Sequence, residues 1–114
     1  MRQTNDTPRA ISIEEAAQAF AALGSEQRLS VLRLLVRAGP EGLTMGELAE
    51  RSGIANSTLT HHLRFLTSAG LVEQERRGRS IVCSSVEYDM ARALSDYLLT
   101  NCCADAPETD HDHG

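Results

Sequence analysis

The chain has 114 residues, 41% hydrophobic and 4% aromatic, which supports one domain with a modest core. Its formal net charge of −5, from 11 basic and 16 acidic residues, taken alone argues against a nucleic-acid partner. No apolar run approaches the ~20 residues of a membrane span, and the polar start, Met1 to Ala10, has no signal-peptide core, so the chain reads as cytoplasmic.

Residues 1–11 read as a flexible N-terminus, 12–101 as the folded domain, and 102–114 as a cysteine pair followed by an acidic flexible tail. Ser12 to Glu15, Thr44 to Glu47 and Ser84 to Glu87 are each Ser/Thr-x-x-Glu, the capping-box pattern that satisfies helix N-terminal amides. The first predicted helix carries Ala16, Ala17, Phe20 and Leu23 and stops at Gly24. The second starts after Ser25, is apolar over most of its surface (Leu29, Val31, Leu32, Leu34, Leu35, Val36), and therefore belongs at the centre. Gly39 and Pro40 end it. A short third helix runs from Thr44 to about Ser52. After a tight turn, Asn56 or Ser57 caps a fourth, with Leu59, Leu63 and Leu66 on one side and Gly70 at its end.

From Leu71 the pattern changes to two extended runs, Leu71–Glu75 and Ser80–Ser84, with Arg76-Arg77-Gly78-Arg79 as a hairpin tip. A last helix runs from Val86 to about Asn101, its stripe formed by Met90, Ala93, Leu94, Tyr97 and Leu98. Helix, short turn, helix and a basic hairpin make a winged helix-turn-helix: mainly α with a small β-hairpin.

The net charge is unevenly distributed, and the local face governs contact. Four acids (Asp105, Glu108, Asp110, Asp112) lie in the last fourteen residues, leaving twelve acids against eleven bases. Residues 55–82 hold four arginines against two glutamates, a local net of +2. With the leucines of the fourth helix inward, Ser57, Thr60, His61 and Arg64 face outward, and Asn56 and Thr58 sit at the helix start, where recognition helices touch bases or phosphates. Arg64 suits a guanine edge or a phosphate, while Arg76, Arg77 and Arg79 suit the backbone or minor groove. His62 falls beside the inward stripe and reads as a semi-buried histidine. Double-stranded operator DNA is read as two half-sites, which requires a homodimer; the apolar faces of the first and last helices exceed what a three-helix core covers and are its expected interface.

Phe20 through Leu29 (Phe-Ala-Ala-Leu-Gly-Ser-Glu-Gln-Arg-Leu), Thr60-His61-His62-Leu63-Arg64, Ala69-Gly70-Leu71-Val72 and Arg77-Gly78-Arg79 resemble, in order and spacing, the ArsR/SmtB family. The resemblance covers roughly residues 12–101. It implies a small dimeric bacterial repressor, not an enzyme, that leaves DNA on binding a metal or metalloid and needs no cofactor to bind DNA. Two familiar family sites are missing: the start of the third helix holds no Cys-x-Cys, and the last helix has Asp89 and Asp96 but no histidine.

What remains is Asn101-Cys102-Cys103, resembling a family subset whose vicinal cysteines sense trivalent arsenic or antimony, inorganic or methylated. Thiolates are soft donors suited to such centres. A third ligand is open among Cys83, a partner-chain thiol, an external ligand or a methyl group on the arsenic. Cys83 otherwise reads as a small core residue. His111 and His113 invite zinc with the pair, but the spacing matches no standard zinc motif. The alternatives are a thiol redox or sulfide sensor pairing Cys83 with a tail cysteine, a zinc or cadmium sensor, or a winged-helix protein-interaction module.

Overall fold

The computed structural model describes residues 10–85 and 89–107. The segment expected as a flexible N-terminus falls largely outside these, as do Glu87 and the end of the acidic tail with His111 and His113. The elements in chain order are α1 (Ile13–Ala22), α2 (Glu26–Ala38), a 3₁₀ turn (Gly39–Glu41), β1 (Leu43–Thr44), α3 (Met45–Ser52), α4 (Asn56–Ser68), β2 (Val72–Arg77), β3 (Ser80–Ser85) and α5 (Asp89–Leu99). Among the described residues no helix is long and apolar enough to cross a membrane.

Two of the three capping boxes form. The Ser12 hydroxyl accepts from the Glu15 amide at 3.0 Å, and the Glu15 carboxylate accepts from the Ser12 amide at 2.9 Å. Thr44 and Glu47 do the same for α3 at 3.1 and 2.9 Å. Ser25 caps α2 by accepting from the Arg28 amide at 3.3 Å. Ser84, the start of the third expected box, stands inside β3 opposite Glu73, while its partner Glu87 lies outside the described residues. The last helix is described over Asp89–Leu99, within the expected Val86–Asn101, whose first three residues lie outside the described residues. Neither Asn56 nor Ser57 caps α4: Ala55 occupies that position without a side-chain bond, and Asn56 is already helical.

The sheet has three antiparallel strands in the order β1-β3-β2. The hairpin was expected; β1 was not. It is only two residues long, Leu43 opposite Cys83 and Thr44 opposite Val82, too short to show an alternating pattern. Gly42 makes the approach possible. Its φ is +69°, and a Cβ there would collide with the Cys83 carbonyl oxygen.

One core serves the whole domain. Val31 and Leu35 of α2, Leu48 of α3, Leu59, Leu63 and Leu66 of α4 and Cys83 of β3 are fully buried. α2 packs against α3, α4 and β3, the central place its apolar surface demands. α1 buries Ala16, Ala19 and Ala22, small residues that let it lie close against α4 and α5. α5 buries Met90, Ala93 and Leu94.

Gly42→Ala is expected to destabilise the domain by at least ~1 kcal/mol, since it adds both an unfavourable φ and a backbone clash. Thermal unfolding reads this as a drop of roughly 4–8 °C per kcal/mol. A wild-type melting temperature would contradict the close pairing of β1 with β3.

Candidate nucleic-acid interface and thiol pair

Burial of Leu59, His62, Leu63 and Leu66 on one side of α4 leaves Ser57, Thr60, His61 and Arg64 on the opposite side, all exposed. Asn56 and Thr58 are exposed in the first turn. Thr58 stands off the centre of this face, seven residues from Phe65 and on the same flank. The Thr60 hydroxyl donates to the Asn56 carbonyl at 2.9 Å, so its proton is used within the helix and only its lone pairs face outward. α4 contains no acidic residue, and Arg64 lies on its exposed face.

The hairpin tip is tighter than the sequence suggests. Arg76 pairs with Ile81 and Arg77 with Ser80 inside the β2–β3 ladder, so the turn is Gly78-Arg79 alone. Gly78, with φ +64°, supplies the positive φ that a type II′ turn requires at its first central position. Arg76 and Arg77 therefore leave β2 on opposite faces instead of sharing one tip. Both are exposed, as is Arg79, and the Arg77 guanidinium lies 3.2 Å from the Glu75 carboxylate. That exposed pair is worth little and exchanges readily for a phosphate.

A cluster between α2 and α4 was not foreseen, apart from the burial of His62. His62 Nε2 lies 2.7 Å from Gln27 Oε1, a hydrogen bond in which the ring N–H donates. Arg28 stacks its guanidinium over the Phe65 ring, 4.2 Å from the centroid, and donates to the Ala22 carbonyl at 3.3 Å. His61 meets the same ring edge-on at 5.1 Å. His62 Nδ1 and Arg28 Nε are buried without a hydrogen-bond partner among the described residues. Burial first, then the charges of Arg28 and His61, holds the His62 pKa below its ordinary 6.5.

At the far end of α5 the chain turns tightly. Asn101 (φ +69°) and Cys103 (φ +68°) adopt left-handed conformations, and the Cys102 amide donates to the Leu99 carbonyl at 2.8 Å. These turns bring the Cys102 and Cys103 sulfurs to 3.3 Å, both exposed and hydrogen-bonded but not joined by a disulfide. The neighbouring Cys103 thiol, by hydrogen bonding and charge, pushes the Cys102 pKa up. Cys83 does not join them. It is fully buried, its sulfur 3.6 Å from both the Met45 sulfur and the Gln74 side-chain nitrogen, and burial raises its pKa. Among the described residues no set of three cysteine, histidine or carboxylate side chains converges. A cleft of about 560 Å³, lined by neither cysteine, opens between Ile11 and Asp96, Tyr97 and Asn101.

The apolar stripe expected on α5 divides. Met90, Ala93 and Leu94 pack within the chain, whereas Tyr97 and Leu98 (65% exposed) are exposed, as is Leu99 (61%), which was not part of the stripe. On α1, Ile13 (64% exposed), Ala17 and Phe20 form an exposed row at i, i+4 and i+7.

A family model described as a helix-turn-helix domain matches residues 23–75. The HTH-type transcriptional regulator NmtR of Mycobacterium tuberculosis is 39% identical over 84 residues, 74% of this chain and 68% of that one. The transcriptional repressor SmtB homolog of Synechocystis sp. is 30% identical over 97 residues, covering 80% and 71%. Among solved structures, the homodimeric winged helix-turn-helix DNA-binding domain of a possible ArsR-family transcriptional regulator from Mycobacterium bovis matches with a TM-score of 0.64 at 25% identity, over 90% of each chain.

The buried His62 sets a pH dependence. Its neutral form carries no penalty above 6.5; below that value the unfolded chain takes up the proton first and stability falls. The melting temperature is expected to drop as pH is lowered from about 7 to about 5, and to drop less in His62→Gln. Parallel curves for the two proteins would contradict a neutral, buried His62.

Proposed function

Because the chain belongs to the ArsR/SmtB family of winged-helix transcriptional regulators, we propose that it represses transcription as a metalloid-responsive homodimer. α4 enters the major groove of operator DNA and the β2–β3 wing follows the backbone. The observation that carries this reading is the acid-free outer face of α4, with Ser57, Thr60, His61 and Arg64 set opposite the buried leucines. Asn56, Ser57 and Thr58 meet the DNA at the helix start. Arg64 contacts a base edge or phosphate, and Arg76, Arg77 and Arg79 contact phosphates or the minor groove.

The exposed apolar side chains of Ile13, Phe20, Leu98 and Leu99 support dimerisation through α1 and α5, the arrangement that places two α4 helices about one DNA turn apart. Trivalent arsenic or antimony, inorganic or methylated, is the inducer, held by Cys102 and Cys103. Two exposed thiols 3.3 Å apart suit one large soft centre. Each thiol displaces one hydroxide from that centre and its proton leaves in the water formed, with no change of oxidation state. Any remaining ligand comes from a partner chain or from the inducer itself, since Cys83 is sealed in the core. Sitting directly after the dimer-forming helix, the liganded pair alters the spacing of the two reading heads. A coupling of ~1–3 kcal/mol lowers operator affinity ~5- to 150-fold.

Two measurements test this. Arg64→Ala is expected to weaken binding to the DNA upstream of the protein's own gene and, if its partner is a phosphate, to reduce the salt slope by about one; unchanged affinity removes Arg64 from the interface. The double variant Cys102→Ser, Cys103→Ser is expected to bind that DNA as wild type but resist release by trivalent arsenic or antimony. Normal release from the double variant places the inducer elsewhere.

A further inference from the structure

We infer that Gln27 and Arg28, in the first turn of α2, are positioning residues that set the rotation of α4 about its own axis and so the placement of His61 and Arg64 against DNA. This rests on α4 being the reading helix. Three features of the structure lead to it.

First, the start of α4 has no anchor of its own, since Ala55 offers no capping side chain. Second, the leucine stripe decides which side of α4 faces the core, but apolar burial is non-directional and tolerates small rotations. A helix with its side chains has a radius of about 5 Å, so a turn of ~10° shifts an outward side chain by about 1 Å, enough to spoil a bidentate hydrogen bond. Third, the flank of α4 carries the directional contacts that the stripe lacks. His62 is tied to Gln27 at 2.7 Å, and Phe65 meets both the Arg28 guanidinium and the His61 ring.

Arg28 is itself fixed. Its amide is capped by Ser25, its guanidinium donates to Ala22 at the end of α1, and its Nε is buried. It therefore acts as a strut and not as a mobile surface cation. The strut ends on a ring in contact with His61, which stands on the outer face of α4. Loss of the Gln27 bond frees the helix to rotate and blurs base readout, while attraction to phosphate, set by charge, is unaffected.

The test measures affinity for the operator and for a scrambled duplex of equal length, with melting temperatures, in Gln27→Met, Gln27→Glu and Arg64→Ala. Gln27 is exposed, so its replacement leaves the core intact. Gln27→Met, similar in size but without an acceptor oxygen, is expected to lose roughly three- to tenfold in operator affinity while keeping its scrambled-duplex affinity; the His62 N–H left without its acceptor lowers the melting temperature, which Gln27→Glu restores. Gln27→Glu keeps the acceptor and is expected to restore the operator-to-scrambled ratio, because its added charge acts on both duplexes alike. A wild-type ratio in Gln27→Met, equal losses on both duplexes, or no restoration by Gln27→Glu overturns the positioning role. If Arg64→Ala lowers operator affinity while Gln27→Met does not, only the positioning role fails. If both keep wild-type operator affinity, α4 is not the reading helix and the proposal falls with it.

Discussion

The structure depends on the burial of Leu59, Leu63 and Leu66 of α4 in one core with Val31 and Leu35 of α2. Each leucine contributes about 1.5–3 kcal/mol when fully buried, as much as or more than a good base contact on the other side of the helix supplies. The core therefore decides which side of α4 faces inward, and the polar side follows from it by helical geometry. The same core seats β3 through Cys83 and, by way of β1, α3. α4 and the β2–β3 wing are thus two edges of a single packed unit.

Electrostatics act at a finer scale than the net charge suggests. The acids cluster toward the end of the chain, while α4 carries none and the hairpin is arginine-rich. With an overall charge of −5, long-range attraction to DNA is weak, so the proposed mode of binding leans on local contact and on the proposed pairing of two α4 helices. Positional accuracy then matters more than in a strongly basic protein. That gives the contacts of Gln27 and Arg28 with α4 their significance.

Much of this was readable from local patterns. The Ser12–Glu15 and Thr44–Glu47 boxes mark helix starts, the leucine spacing orients α4, and the Gly78 turn marks a hairpin, because each signal is complete within a few residues. What was missed is non-local. β1 exists only because Gly42 lets two residues approach Cys83, forty positions on in the chain. Ser84 fits a capping box but is claimed by its ladder partner Glu73, an outcome that only strand register decides. Arg76 and Arg77 look like a tip until the pairing with Ile81 and Ser80 is known. The Gln27–His62 bond joins residues 35 apart and has no sequence signature. Cys83, one of three thiols in composition, is separated from the other two by burial alone.

The proposed DNA-contacting surface is the leucine-oriented outer face of α4 with the wing beside it. Site-specific photocross-linking tests it most directly. A photoreactive side chain placed at position 64 on α4 or position 79 at the wing tip should form adducts with operator DNA, and one placed at position 98 on α5 should not. Absence of adducts from position 64, or adducts from position 98 in its place, would contradict the account.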